Sequence, residues 1–123
     1  RFKIERNSLP AISLTDNASL ITALSNDYSN DIIFSRQCSS MLSPNDIVIA
    51  ISTSGNSENV RLGLIESKKQ GAICIGLLGN NGGKIKNHTD LSIIVPSTDT
   101  AKIQEVHRVI YHIICEKVEK LLK

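Results

Sequence analysis

Hydroxyl groups crowd one short stretch of this chain. Ser52, Thr53, Ser54 and Ser57 stand close together, with Gly55 and Asn56 between them. They follow five apolar residues, Ile47 to Ile51, that read as a strand buried on both faces. They precede a segment with apolar residues at Val60, Leu62, Leu64 and Ile65 that reads as a surface helix. A strand, a small hydroxyl-rich turn and a helix N-terminus together make an anion site. Free backbone N–H groups and the positive end of the helix dipole converge there, and serine hydroxyls donate to the same oxygens. The lysine of G-x-x-x-x-G-K-[ST] is missing, which argues against a nucleoside triphosphate with magnesium and for a phosphate monoester on a small molecule. The plainer reading of the same residues is a connecting turn in which Ser57 caps the next helix.

A second polar set lies near the C-terminus. Gln104, Arg108 and His112 stand at i, i+4 and i+8, a row that drifts by about 40° per step at 3.6 residues per turn. His107 falls nearer the apolar side formed by Ile103, Val106, Ile110, Ile113, Ile114 and Leu121. Spacing alone makes the row a solvated flank, because periodicity does not show whether it borders a pocket.

The elements that must position these residues alternate along the chain. Leu9 to Leu14 reads as a short strand with Pro10 at its start, and Asp16 or Asn17 caps a helix that runs to about Ser25. A helix over 31–41 follows, with Ile32, Ile33, Phe34 and Met41 as its buried candidates. Ser43-Pro44-Asn45-Asp46 is a turn. After the strand at Ile47–Ile51 and the helix to Gln70, Gly71 is the C′ residue. Ala72–Leu78 is a further strand, Lys84–His88 a short helix, and Leu91–Val95 a strand stopped by Pro96. A long helix spans 100–122. Strands that are apolar throughout and separated by helices predict an α/β fold, a parallel sheet with helices on both faces. Ligands in such sheets sit at the carboxyl ends of the strands, where three loops fall: Thr15-Asp16, Ser52–Ser57 and Gly79–Gly83. The last reads as a tight turn, and no G-x-G-x-x-G fingerprint is present.

Composition narrows the function classes. The 123 residues make one domain, and 41% hydrophobic content with 3% aromatics and no Trp predicts an aliphatic core. A formal charge of +2 offers neither a nucleic-acid stripe nor a polybasic membrane patch. Cys38, Cys74 and Cys115 follow no metal-binding spacing and read as buried, reduced thiols of a cytosolic protein. No signal peptide is apparent, and the longest apolar run is far below the roughly 20 residues that span a bilayer. The opening Arg1-Phe2-Lys3-Ile4-Glu5-Arg6 reads as the middle of a protein.

The segments IAISTSGNSENV and GLLGNNGGKIKNHTDLSIIVPSTDTAKIQEVHRVIYHII closely resemble the sugar isomerase (SIS) domain family, and within it the bacterial sedoheptulose 7-phosphate isomerases. The resemblance covers essentially the whole chain, as the C-terminal portion (1–123) of a single SIS domain. It implies a flavodoxin-like core and a cytoplasmic homotetramer. It also implies interconversion of sedoheptulose 7-phosphate and glycero-manno-heptose 7-phosphate for lipopolysaccharide or capsule heptose. The family's phosphate-binding serines fall on Ser52, Ser54 and Ser57, with Thr53 between them. Its substrate-contacting aspartate falls on Asp16, next to Thr15. Its C-terminal glutamine and histidine fall on Gln104 and His112, which in the family contact substrate and can bind zinc. Roughly the first third of the family's domain has its place before residue 1. That third includes a GNGGS-type phosphate loop and a glutamate base beside a histidine metal ligand.

The resemblance implies an enediol isomerisation, with His112 as acid/base, Gln104 orienting the substrate or sharing a metal, and the hydroxyl loop anchoring the phosphate. A non-enzymatic SIS protein that binds the replication initiator is the rival, similar around RF-x(2)-ER-x-SLPAI and the TDN after it. In that group the residue equivalent to His112 is replaced and the hydroxyl loop tends to be altered, whereas both are intact here. A sugar-phosphate sensor domain is the third reading.

Overall fold

The three long apolar runs pair side by side in the computed structural model, which describes residues 1–122. β1 (Ile47–Ser52), β2 (Ile73–Gly79) and β3 (Leu91–Val95) form a parallel sheet in that order, with Ser52 opposite Leu78 and Gly79 opposite Val95. Of the helices α1 (Ala18–Asp27), α2 (Ser35–Met41), α3 (Glu58–Lys69) and α4 (Thr100–Leu121), α3 and α4 pack on the sheet, α2 packs on α3, and α1 packs on the first of two 3-10 turns, Asn30–Ile32 and Ile85–His88. This is the predicted α/β architecture. Its local signals hold: Asn17 Oδ1 accepts from Leu20 N at 3.0 Å to start α1, and Gly71 takes φ +79° where α3 ends.

The core follows from strand alternation. Ala50 of β1 and Cys74 and Leu78 of β2 point to one side, where Leu64 of α3 and Ile85 complete a buried cluster flanked by Val48 and Val60. α4 packs against β2 and β3. The other side of β1 is not covered: Ile47, Ile49 and Ile51 are 62%, 48% and 52% exposed, and Ile73 beside them is 45% exposed. Helices thus lie on both faces of the sheet, as expected, α3 on one and α4 on the other, with this part of β1 open among the described residues.

Five expectations are corrected. Leu9–Leu14 forms no strand among the described residues, Leu14 already belongs to a turn and Ile12 is exposed, because an apolar run becomes a strand only where a sheet edge receives it. The expected helix over 31–41 breaks at Phe34 into a 3-10 turn and α2. The break lets Ile33 be buried and sets Phe34 against Gly63 of α3, where an added Cβ would lie 3.1 Å from Phe34 Cβ. Met41 is exposed rather than buried. On α4, Val106, Ile113 and Leu121 are exposed along with Cys115, whereas Ile103 and His107 are buried. Burial pushes the Cys38 and Cys74 thiols up, which suits inert core residues.

The first residues lie against the far end of α4. Glu119 is the one buried acidic side chain among the described residues. It accepts from Phe2 N at 2.7 Å, Lys3 N at 2.6 Å, Ile4 N at 2.9 Å and Arg6 Nε at 3.1 Å. Burial alone would raise its pKa. The three backbone donors and Arg6 outweigh that and bring it from 4.5 down to about 2. A depressed carboxyl stabilises the fold fully above its unfolded pKa and loses that contribution as pH falls toward the folded value. Urea midpoints of the protein and of Glu119→Gln should therefore differ by a constant amount above pH 4.5 and converge as pH falls toward about 2. A gap that persists unchanged at the acid end would refute the assignment.

Candidate functional site

The hydroxyl loop joins the carboxyl end of β1 to the N-terminus of α3. Ser52 is buried, with its Oγ 3.1 Å from Ser57 Oγ and accepting from Gly55 N at 3.2 Å. Ser54 Oγ accepts from Asn56 N at 3.1 Å, and Asn56 Nδ2 donates to Ser54 O at 3.0 Å. These bonds fold the loop on itself. Ser57 occupies the N-cap position, but its side chain makes no capping bond. The plain capping role therefore does not account for this hydroxyl, which turns toward Ser52 instead. The first N–H groups of a helix have no backbone partner within it; in α3 that of Val60 donates to Asn59 Oδ1 at 2.8 Å, which leaves those of Glu58 and Asn59 directed at the space before the helix. Glu58, an acid in that first turn, is drawn aside by Arg61, whose Nε donates to it at 2.8 Å; that bond holds its carboxyl below the usual range.

A second loop braces the first. Gly79–Gly83 is a tight turn, as the sequence suggests, closed by Gly82 N donating to Gly79 O at 2.9 Å, with Asn80 and Gly82 at φ 54° and 86°. It also locks onto the hydroxyl loop. Ile85 N donates to Gly55 O at 2.9 Å, Lys84 N to Asn56 Oδ1 at 3.0 Å and Asn80 Nδ2 to Thr53 O at 3.0 Å. No side chain fits between them: a Cβ on Gly55, at φ +68°, would sit 2.3 Å from Gly82 O, and one on Gly83 2.3 Å from Gly55 O. Asn80 N in turn donates to Ser97 O at 3.1 Å, which ties in the loop after β3.

The three strand ends thus enclose an open cleft of about 780 Å³, lined by Ser54, Asn56, Asn80, Asn81, Ser97 and Thr98 among others. Asn80 and Asn81 belong to the Gly79–Gly83 loop that the sequence places at a strand end, whereas Ser97 and Thr98 carry no signal of residue type. The signal for them is position, since each follows the carboxyl end of a strand.

α4 is fixed to the same end of the sheet. Asp99 Oδ1 caps it, accepting from Ala101 N at 3.0 Å and Lys102 N at 3.3 Å. Buried Ile103 closes on β2, where a Cβ on Gly79 would lie 2.6 Å from its Cδ1. His107 Nε2 lies 3.0 Å from Leu78 O. A carbonyl only accepts, so Nε2 carries the proton and Nδ1 is left buried without a partner. Leu78 is paired with Ser52, so this bond sets α4 relative to the hydroxyl loop.

The structure brings Ser52, Thr53, Ser54 and Ser57 together in one loop. Gln104 and His112 are exposed on α4, as a solvated flank would be, and neither lines the cleft. The His112 ring lies 5.9 Å from that of Phe2, nearly parallel, and 4.8 Å edge-on from Tyr111. Thr15 and Asp16 occupy an exposed turn before α1, in which Thr15 Oγ1 is 2.8 Å from Ser13 Oγ and Asp16 N donates to Ser13 O at 3.1 Å. They do not line the cleft either. Among the described residues no three His, Cys, Asp or Glu side chains converge as a metal site.

The interlock has a measurable consequence. Gly55→Ala adds a Cβ both to a left-handed backbone and to occupied space, and should cost about 1–3 kcal/mol from the backbone alone, read as a lower urea midpoint. An unchanged midpoint would show that the two loops are not clasped.

Comparison with known proteins places this geometry. The model of the SIS domain matches residues 18–112. Phosphoheptose isomerases of Geobacter sulfurreducens and Pelobacter propionicus are 50% and 51% identical over 122 residues, which is 99% of this chain and 65% of each relative. The chain therefore spans about two thirds of the length of these curated relatives. Among solved structures, a phosphoheptose isomerase from Francisella tularensis superposes with a TM-score of 0.90 at 38% identity, over 94% of this chain and 62% of that one. The phosphoheptose isomerase of Neisseria gonorrhoeae gives 0.87 at 36% identity, over 89% and 61%. With its hydroxyl loop, its parallel sheet and most of its length matched, the chain belongs to the SIS domain family.

Proposed function

We propose that this chain forms the phosphate-gripping and acid–base part of a sedoheptulose 7-phosphate isomerase. The observation that supports the reading is the hydroxyl loop, clasped rigid, with Ser54 facing the cleft and the α3 N-terminus behind it. A dianionic monoester is stabilised there by helix-dipole charge and by hydroxyl and backbone donors that are already in position. The names of the relatives at about half identity agree with it.

Isomerisation moves one proton between C1 and C2 through an enediol while a second proton passes between their oxygens. His112 is exposed and its ring nitrogens are engaged by no protein group among the described residues, so it is free to carry the oxygen proton. Gln104 orients the carbonyl end, and Thr15 and Asp16 bind hydroxyls of the sugar chain. The phosphate lies on C7, at the opposite end from the reacting carbons. A phosphate loop and an acid–base residue that do not share one cleft wall suit that substrate. The base that takes the carbon proton is, by the resemblance, a glutamate outside this chain.

Zinc does not fit the described residues alone. Gln104 and His112 offer two donors, whereas a catalytic zinc takes three protein ligands, so no step here is routed through it. The protein is proposed to be a cytoplasmic homotetramer. No helix among the described residues is long and apolar enough to cross a membrane.

Two substitutions test the reading. Ser54→Ala should weaken binding of sedoheptulose 7-phosphate about tenfold or more, the worth of one charge-assisted hydrogen bond, in titration calorimetry; undiminished affinity would remove the loop from the site. His112→Ala should lower kcat by about 10²–10⁴-fold while the phosphorylated sugar still binds. Near-normal turnover would reject its role.

A further inference from the structure

Isomerisation as proposed above leaves one buried charge unexplained. Glu119 lies seven residues beyond His112 on α4, two turns away and on nearly the same side, about 10 Å along the axis. Its carboxylate receives three consecutive backbone N–H groups, from Phe2, Lys3 and Ile4, with Arg6 Nε closing the set. Such a backbone nest around an anion fixes the chain direction as well as its place. Lys3 Nζ adds a bond of 2.7 Å to Glu116, which Lys120 also holds at 2.7 Å. The residue whose amide begins the nest is the one whose ring reaches His112: the Phe2 and His112 rings stack with an interplanar angle of 22°. Side chains on a helix lean toward its N-terminus, so a strap pinned at Glu119 meets His112 from below.

We propose that Glu119 is a positioning residue for His112: by gripping the backbone of residues 2–4 it seats the Phe2 ring against the imidazole and holds that ring in one orientation. Exposed side chains otherwise hop between rotamers on fast timescales, and an acid–base group that wanders loses rate even when its chemistry is intact. Tyr111, edge-on at 4.8 Å, bounds the imidazole on a second side. Arg6 offsets the charge of Glu119, so the effect travels through placement rather than through the carboxylate's field. The functional half of this inference rests on the acid–base reading of His112; the coupling of Glu119 to His112 does not.

The test follows the His112 imidazole protons by NMR, assigned by their disappearance in His112→Ala, alongside steady-state kinetics with sedoheptulose 7-phosphate. In Phe2→Leu the aromatic shielding is removed and those resonances move. Glu119→Gln, which keeps shape and weakens the grip, should move them in the same direction, and the double variant should move them no further than Phe2→Leu. Both single variants should lower kcat about 10- to 100-fold with KM little altered, and Glu119→Asp should recover part of the loss. The proposal is overturned if Glu119→Gln leaves the His112 resonances in place while amide exchange at residues 2–4 shows the strap released. It is equally overturned if the resonances move and kcat does not. The reading of His112 as acid/base fails separately, through full turnover in His112→Ala, and the resonances still report whether the strap holds the ring.

Discussion

The carbonyl of Gly55, bonded to the amide of Ile85 and pressed against the backbone of Gly82 and Gly83, is the contact on which the candidate site depends. A loop of small polar residues has little apolar surface to anchor it, and left alone it would sample many shapes. Here two loops from adjacent strand ends clasp backbone to backbone, with Asn56 and Asn80 as cross-braces. The polar groups that line the cleft are therefore held in place without a ligand, which is what makes fixed dipoles effective in binding and catalysis. Glycine is required at both sides of the clasp because any Cβ would occupy the space of the opposing backbone.

α4 is the second rigid part, and it is held at three levels. Asp99 caps its start, Ile103 and His107 dock on β2, and Glu119 binds the strap near its end. Ile103 and His107 face inward toward the sheet, while Gln104 and His112 face outward and Glu119, on nearly the same side as His112, is buried by the strap instead. The chemistry proposed for the outward row relies on the inward one, since a helix that rolled about its axis would carry His112 away from its place. The His107 bond to Leu78 O matters most for registration, because it links α4 to the strand pair that ends in Ser52.

The core explains why these parts stay fixed relative to one another. Leu64, Cys74, Leu78 and Ile85 join α3, β2 and the second loop in one buried cluster. Ile85 serves twice, as a core side chain and as the amide donor to Gly55. Close packing transmits a displacement at one of these residues to the others.

Much of the fold was legible because its signals are local. β-branched runs bounded by turn residues mark β1 and β3, Pro96 ends the last strand, Gly71 ends α3, and Asn17 begins α1. The hydroxyl loop stands out through side-chain type, which suggests an anion site but equally fits a connecting turn. What the residues could not announce were the meetings between distant segments: Leu9–Leu14 finding no strand to pair with, Phe34 interrupting a helix to reach Gly63, Gly83 bracing Gly55, and Glu119 gathering the amides of Phe2 to Ile4 more than a hundred positions away. Periodicity records which residues favour burial. Which surfaces meet, and so which polar groups are left free to act, is set by contacts between segments far apart in the chain, and those exist only once the whole is folded.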